Sequence, residues 1–219
     1  MARPFAWSYS ALTAFETCPK QYWHYRVKRD VKESSNAMGD YGTEAHKHFE
    51  NRLLRNKKLP LDLTHHEKVL AKLAAAPGDG MPEQKLAINR DYQPTGFFDD
   101  DVWCRAIIDF TKINENRAII IDHKFGKMKD GFDQVEHQAV MLFCFKPELT
   151  HLTAGYYWAK TKRLPTTKIV PEDVPAIWNK LLVRVEAMEA GIKHDEFPAR
   201  PSGLCRRWCS VKSCPHHGT

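Results

Sequence analysis

An α/β fold with a mixed central β-sheet flanked on both sides by helices is what this sequence predicts, and three observations carry that reading. Helical spacing dominates the first eighty residues. Two β-branched runs, Cys104–Phe110 and Ala118–Lys124, then follow each other across an Asn-rich turn. A further apolar strand and a long amphipathic helix come after them. At 219 residues the chain is long enough to bury a core as a single domain over 1–219, divided into a helical part (1–80), a sheet core (81–165), a C-terminal helix (166–200) and a Cys-rich tail (201–219). It contains no internal repeat and no low-complexity tract.

Taken in order, Ser8 or Ser10 can cap a first helix that places Leu12 and Phe15 on one face, and Pro19 breaks it near Cys18. Tyr22, Trp23 and Tyr25 follow, interleaved with Lys20, His24, Arg26, Lys28 and Arg29. That pattern suits stacking on bases and neutralising phosphates, and equally suits an amphipathic helix whose aromatics are core. Lys32–Asp40 is polar, and helical spacing returns over Tyr41–Leu54, where Gly42 and His46 lie one turn apart on the same side. The missing side chain at Gly42 leaves room beside the His46 imidazole, and His48 is rotated away. A lone histidine there is ordinarily a packed or solvated residue. A helix over His65–Ala76 ends at Pro77-Gly-Asp-Gly80, and Glu83–Arg90 alternates as a strand. The run Asp99-Asp100-Asp101 reads as a solvated loop.

The two central runs are expected to form adjacent antiparallel strands. Side chains alternate along the second, so Asp122 and Lys124 share one face about 6.6 Å apart while His123 points the other way. A carboxylate ending a strand of isoleucines faces a desolvation cost that a bound cation would remove, and the turn can bring Asp109 alongside Asp122. Hard oxygen ligands suit Mg²⁺ or Mn²⁺, with Lys124 beside them to stabilise developing charge. The bland alternative is a surface hairpin carrying an exposed ion pair. After a basic loop from Phe125, Asp133 can cap a helix running to Phe145 with Gln134 and Gln138 on one face. Leu152–Lys160 reads as a strand and Val174–Ala190 as a helix carrying Ile177, Leu181, Leu182, Val185 and Met188.

A net charge of +6 and a pI near 8.9 favour an anionic partner. The first residues contain no long apolar run, so a signal peptide or membrane span is not expected and the cytoplasm is the default location. In that reducing setting the six cysteines are not read as three disulfides. Cys205, Cys209 and Cys214 fall within ten residues, as metal-binding thiolates do. The fourth ligand is His216 or His217, giving a local zinc knuckle, or Cys18, giving four thiolates suited to an iron–sulfur cluster or Zn²⁺.

These residues together resemble the RecB-type exonuclease branch of the PD-(D/E)xK nuclease superfamily over nearly the whole chain. Ser8-Tyr-Ser10-Ala-Leu12 through Phe15-Glu-Thr-Cys18-Pro19 to Tyr22 is similar to its opening motif. Gly42-Thr-Glu-Ala-His46 resembles its helical histidine motif, Ala106-Ile-Ile-Asp109 its first acidic strand, Asp122-His-Lys124 its name-giving triplet and Gln138 its later glutamine. The resemblance implies a restriction-endonuclease-like core and a Mg²⁺- or Mn²⁺-dependent deoxyribonuclease acting on DNA ends, in recombination, repair or phage DNA processing, with any helicase partner unspecified. It implies that His46, Asp109, Asp122 and the His123 backbone carbonyl hold the metal, that Lys124 assists the attacking water and that the Gln138 helix lines the DNA path. Glu83 corresponds to a further acidic position. Cys18, Cys205, Cys209 and Cys214 match the layout of AddB-type and CRISPR-adaptation nucleases, in which a 4Fe-4S cluster ties the chain ends together. This chain departs from the family pattern at Ala106, where a glycine is usual, at Leu142, where a tyrosine is usual, and in the tail spacing. Two rivals remain, a catalytically silent DNA-binding module and a zinc-stabilised scaffold of the same fold.

Overall fold

The computed structural model describes residues 5–33 and 37–219. Its helices in chain order are α1 (Tyr9–Thr17), α2 (Pro19–Tyr22), α3 (Ala37–Arg55), α4 (Glu67–Ala75), α5 (Asp133–Phe145) and α6 (Val174–Lys193). The strands that frame the site are β1 (Asp79–Ile88), β2 (Cys104–Asn114), β3 (Arg117–Lys124), β4 (His151–Trp158) and β5 (Thr166–Ile169). The chain divides into two compact units, one being Ala37–Trp178 with the first residues of the chain, the other Trp7–Asn36 with Asn179–Thr219. The parts read from the sequence at residues 80, 165 and 200 follow chain order, whereas these units do not. The second unit is stitched from both chain ends, a grouping that chain order does not reveal.

In the first unit β1 runs antiparallel to β2, β2 antiparallel to β3, β3 parallel to β4 and β4 antiparallel to β5. The parallel step is made by α5, which crosses between β3 and β4. Strand β5 is a four-residue piece that the sequence pattern did not single out. Helix α5 buries Val135, Ala139, Val140, Met141, Leu142 and Phe143, apolar almost all round, because it packs on the sheet as a central layer. The opposite layer is α3 and α4, whose Phe49, Leu70 and Leu73 pack with Phe110, Ile121 and Tyr157 of the sheet. Each such buried side chain contributes about 1.5–3 kcal/mol relative to exposure. Two polar devices lock this layer. Arg52 forms a fork with both carboxylate oxygens of Glu67 across α3 and α4, and Lys112 Nζ donates to Ala74 O at 2.8 Å, satisfying a terminal carbonyl of α4.

Gly78 makes the turn from α4 into β1 at φ +99°, where a Cβ would lie 2.1 Å from Ile113 O. The acidic run of the 95–101 loop is exposed but organised, since Asp99 accepts from Gly96 N at 2.8 Å and Asp101 from Thr95 Oγ1 at 2.7 Å.

In the second unit Ser8 caps α1 by accepting from Ala11 N, and Cys18 is extended at φ −162° before Pro19 restarts the helix. The aromatic run that follows packs within the unit. Phe15 meets Tyr22 edge-on at 5.7 Å and Phe197 at 6.4 Å, and Trp23 lies 6.2 Å from Phe197. Tyr25 Oη accepts from Ser210 N. Of the two sequence readings these contacts favour the packed one for Tyr22, which is buried, while Trp23 and Tyr25 are half-buried.

The chain ends meet in this unit through hydrogen bonds. Arg184 pairs bidentately with Glu16 at 2.7 and 2.8 Å, Arg200 Nη1 donates to Glu16 O at 2.6 Å, and Lys20 N donates to Pro198 O. Cys18, Cys205, Cys209 and Cys214 do line one pocket together with His216 and His217. Their thiols are free, however, and among the described residues they do not form a closely spaced ligand group. A Cys metal cluster joining the two ends is not shown, and side-chain and backbone hydrogen bonds hold them together. No helix of the described residues is long and apolar enough to cross a membrane.

Candidate active site

The site exists because the sheet forks. Strands β2 and β3 pair as far as Phe110 with Ile121, and the next partners in register would be Asp109 and Asp122. From there β2 stays with β1 down to Cys104 and β3 stays with β4 up to Lys124, so both carboxylates stand in the crotch. A fork strands backbone groups that must find partners. His123 N–H donates to Asp109 Oδ2 at 2.8 Å, and Ile107 C=O accepts from Gln138 Nε2 at 3.0 Å. Separating the strands therefore aims one carboxylate and anchors one amide.

Helix α3 brings His46 Nδ1 to 3.3 Å from Asp109 Oδ2. The space expected beside it is present, since a Cβ at Gly42 would meet nothing within 4 Å. His48 is turned away and lies 3.7 Å from Glu44. The sequence assigns His123's contribution to its backbone carbonyl, whereas the structure brings its imidazole forward, with Nδ1 3.7 Å from Asp109 Oδ2. Ligand atoms of His46, Asp109 and His123 all lie within 4.8 Å of one another. The His123 ring packs 5.3 Å from Phe49, and its buried Nε2 has no hydrogen-bond partner.

Asp122 is 2 % exposed and faces α5. Its Oδ1 accepts from Gln134 Nε2 at 2.7 Å and from Gln138 Nε2 at 3.2 Å, and its Oδ2 lies 2.7 Å from Lys124 Nζ. Lys124 Nζ also donates to Gln134 Oε1 at 2.8 Å and sits 5.7 Å over the Tyr156 ring. Tyr156 Oη in turn accepts from Gln134 N. Phe132, and not Asp133, occupies the cap position of α5, with no side-chain cap bond among the described residues, and the Tyr156 hydroxyl accepts from the first-turn N–H of Gln134.

The acids and imidazoles of the site are shifted in opposite directions. Burial, and then the charge of Asp109, push Asp122 up to about 6 against the pull of Lys124. Burial also works to raise Asp109, but the bonds from His46 and His123 outweigh it and hold that carboxyl below its ordinary value. Burial pulls His46 down, but its bond to Asp109 together with the charges of Asp109 and Asp122 outweighs it and His46 is raised. His123 is pushed down to about 4, chiefly by burial, and is neutral.

His46, Asp109 and His123 thus come together, while Asp122 and Lys124 form an adjoining group. Gln138 is 2 % exposed and donates to Ile107 O and Asp122, so its own side chain braces the acid from behind. Gln134, placed by the sequence on one face with Gln138 but given no role, holds both Asp122 and Lys124. The only signal was its spacing, one turn before Gln138 and on the same face. Glu83, opposite Asp109 in the β1–β2 register, has φ +42° and interrupts that ladder. It lines an open cleft with Thr43, His46, Lys47, Glu50 and Asp109.

The family model of the PD-(D/E)XK nuclease superfamily matches residues 6–215. The crystal structure of a candidate exonuclease from Eubacterium rectale superposes with a TM-score of 0.56 at 11 % identity, covering 91 % of this chain and 85 % of that one. The crystal structure of SSO0001 superposes with a TM-score of 0.47 at 14 % identity, covering 100 % of this chain and 90 % of that one. No curated protein sequence matches the chain.

Proposed function

The chain belongs to the PD-(D/E)XK nuclease superfamily, and on that premise we propose that it is a divalent-metal-dependent deoxyribonuclease that acts on DNA ends. The observation that carries this reading is the forked sheet, which sets His46, Asp109 and His123 around one point with Asp122 and Lys124 beside it. The Asp109 and Asp122 carboxylates are the hard oxygen donors that suit Mg²⁺ or Mn²⁺, and the His46 and His123 imidazoles stand beside Asp109. When bound there, such a cation would polarise the scissile phosphate and activate water.

The chain's own residues supply the rest. Asp109 is fixed by the His123 N–H and by His46, so its carboxylate does not have to reorganise. Lys124 presents its ammonium to charge growing on the phosphate, and Gln134 holds both Lys124 and Asp122 in register. The four cysteines around one pocket support a second, separate metal in the tail. For that part, an absorption band near ~400 nm in anaerobically purified protein is the signature of iron–sulfur, and a colourless zinc-containing sample that of zinc.

Purified protein with Mg²⁺ or Mn²⁺ is expected to release nucleotides from end-labelled linear DNA, with little action on a covalently closed circle. Lys124→Ala should abolish this with the fold retained. Undiminished cleavage by that variant would sink the assignment, and DNA binding without turnover in the wild type would favour the silent DNA-binding module. Gln134→Ala is expected to lower kcat by about 10–100-fold at nearly unchanged thermal stability, because it frees Lys124 without creating a buried orphan of comparable cost. Equal rates for Gln134→Ala and wild type at saturating DNA would remove Gln134 from the machinery.

A further inference from the structure

From Phe197 to Thr219 the charged side chains are Arg200, Arg206, Arg207 and Lys212, with no carboxylate side chain among them. Within this stretch Trp208 N and Cys209 N both donate to Leu204 O, at 3.0 and 3.1 Å, closing one helical turn. Residues four apart on such a turn lie on the same side. Leu204 and Trp208 do so, and they are 45 % and 53 % exposed. The other rings of this unit contrast with them, since Phe15, Tyr22, Trp23 and Phe197 pack on one another and Tyr25 is tied to Ser210.

The exposed turn is also held firmly. Val211 beside it is 1 % exposed, Gly218 N donates to Cys205 O at 3.0 Å, and Ser210 N is bonded to Tyr25 Oη. A large indole left half in water on an anchored turn, preceded in sequence by the exposed Arg206 and Arg207, costs apolar burial and is already ordered for a partner. The partner must be anionic and must present flat apolar faces at short intervals. An acidic peptide meets the first condition and not the second, and duplex DNA buries its base faces in its own stack.

We propose that Trp208, with Arg206 and Arg207, is a contact for single-stranded DNA, the indole stacking on an unpaired base and the guanidinium groups neutralising the phosphates on either side. This rests on the reading of the protein as a DNA nuclease and adds to it the form of DNA that the tail engages. The site lies in the second unit and shares no residue with the forked sheet.

Full-length protein titrated against a fluorescent oligothymidylate in EDTA, where cleavage is suppressed, tests this by anisotropy. Trp208→Ala should weaken binding by about 10-fold or more, Trp208→Phe should keep most of the affinity, and a blunt duplex should be far less affected by either. The double variant Arg206→Ala/Arg207→Ala should reduce the slope of log affinity against log salt by about 1.4. Unchanged oligothymidylate binding by Trp208→Ala, or an equal loss on the duplex, would overturn the proposal. Hydrolysis of the minimal diester bis(p-nitrophenyl) phosphate with Mn²⁺ reports separately on the nuclease reading. A wild type that fails this and every DNA substrate yet shows the Trp208 effect would retain the surface and lose the nuclease; normal hydrolysis with a silent Trp208→Ala would do the reverse.

Discussion

Asp122→Asn is expected to abolish cleavage and, at the same time, to stabilise the metal-free protein at neutral pH and above. The carboxyl is 2 % exposed and its affinity for a proton is raised from the ordinary carboxylate range to about 6, first by burial and then by Asp109. A folded state that holds a proton more tightly than the unfolded chain loses stability as pH rises from the unfolded pKa through the folded one, and keeps that deficit above it. A shift of this size corresponds to at most about 3 kcal/mol in the apo protein. Asparagine keeps an oxygen to accept from Gln134 and Gln138 and carries no charge to desolvate. It gives up the Lys124 ion pair, whose lysine side chain is 30 % exposed and can turn to water, so part of the gain is returned. Thermal unfolding in EDTA at pH 8 should therefore show the variant above wild type by a few degrees, with the order narrowing towards pH 4. A variant less stable than wild type at pH 8 would show that Asp122 serves as a structural anchor and not as a strained ligand. Loss of activity combined with gain of stability is the mark of a residue kept for chemistry.

Much of this site is legible in the chain because its signals are local. The isoleucine runs either side of Asn114–Arg117 make the hairpin, and the two-residue period sets Asp122 and Lys124 on one face, as the structure has them. His46 gained meaning only from its order relative to the acids. The fork at Phe110–Ile121 left no such trace, because losing pairing between two otherwise good strands depends on what helices lie over each. With the fork hidden, nothing in the chain shows that Gln138 is buried against Ile107 O, that Gln134 bonds Asp122, or that the His123 imidazole comes within 3.7 Å of Asp109. The second unit was harder still. Glu16 and Arg184 are brought together across most of the chain, and the tyrosines and tryptophan of residues 22–25 are equally compatible with core and with a nucleic-acid face until their neighbours are seen.

Binding of Mn²⁺ is expected to release protons and to tighten steeply with pH. His46 holds its proton above its ordinary value through Asp109, and Asp122 holds one up to about 6, so a cation entering between these groups must displace whichever protons are present. The sign follows directly, since protons and metal compete and affinity must rise as either group deprotonates. Below both values the affinity should change by about 100-fold per pH unit; between them by about 10-fold; above both it should level off. Titration calorimetry in buffers of different ionisation enthalpy counts the protons released per Mn²⁺, a number that should fall as pH rises through these groups. Removing the metal with EDTA should return the apo behaviour, and the acid limb of the cleavage rate should follow the same curve. Proton-independent Mn²⁺ binding across this range would mean that the cation sits away from His46 and Asp122, and the catalytic assignment of the fork would go with it.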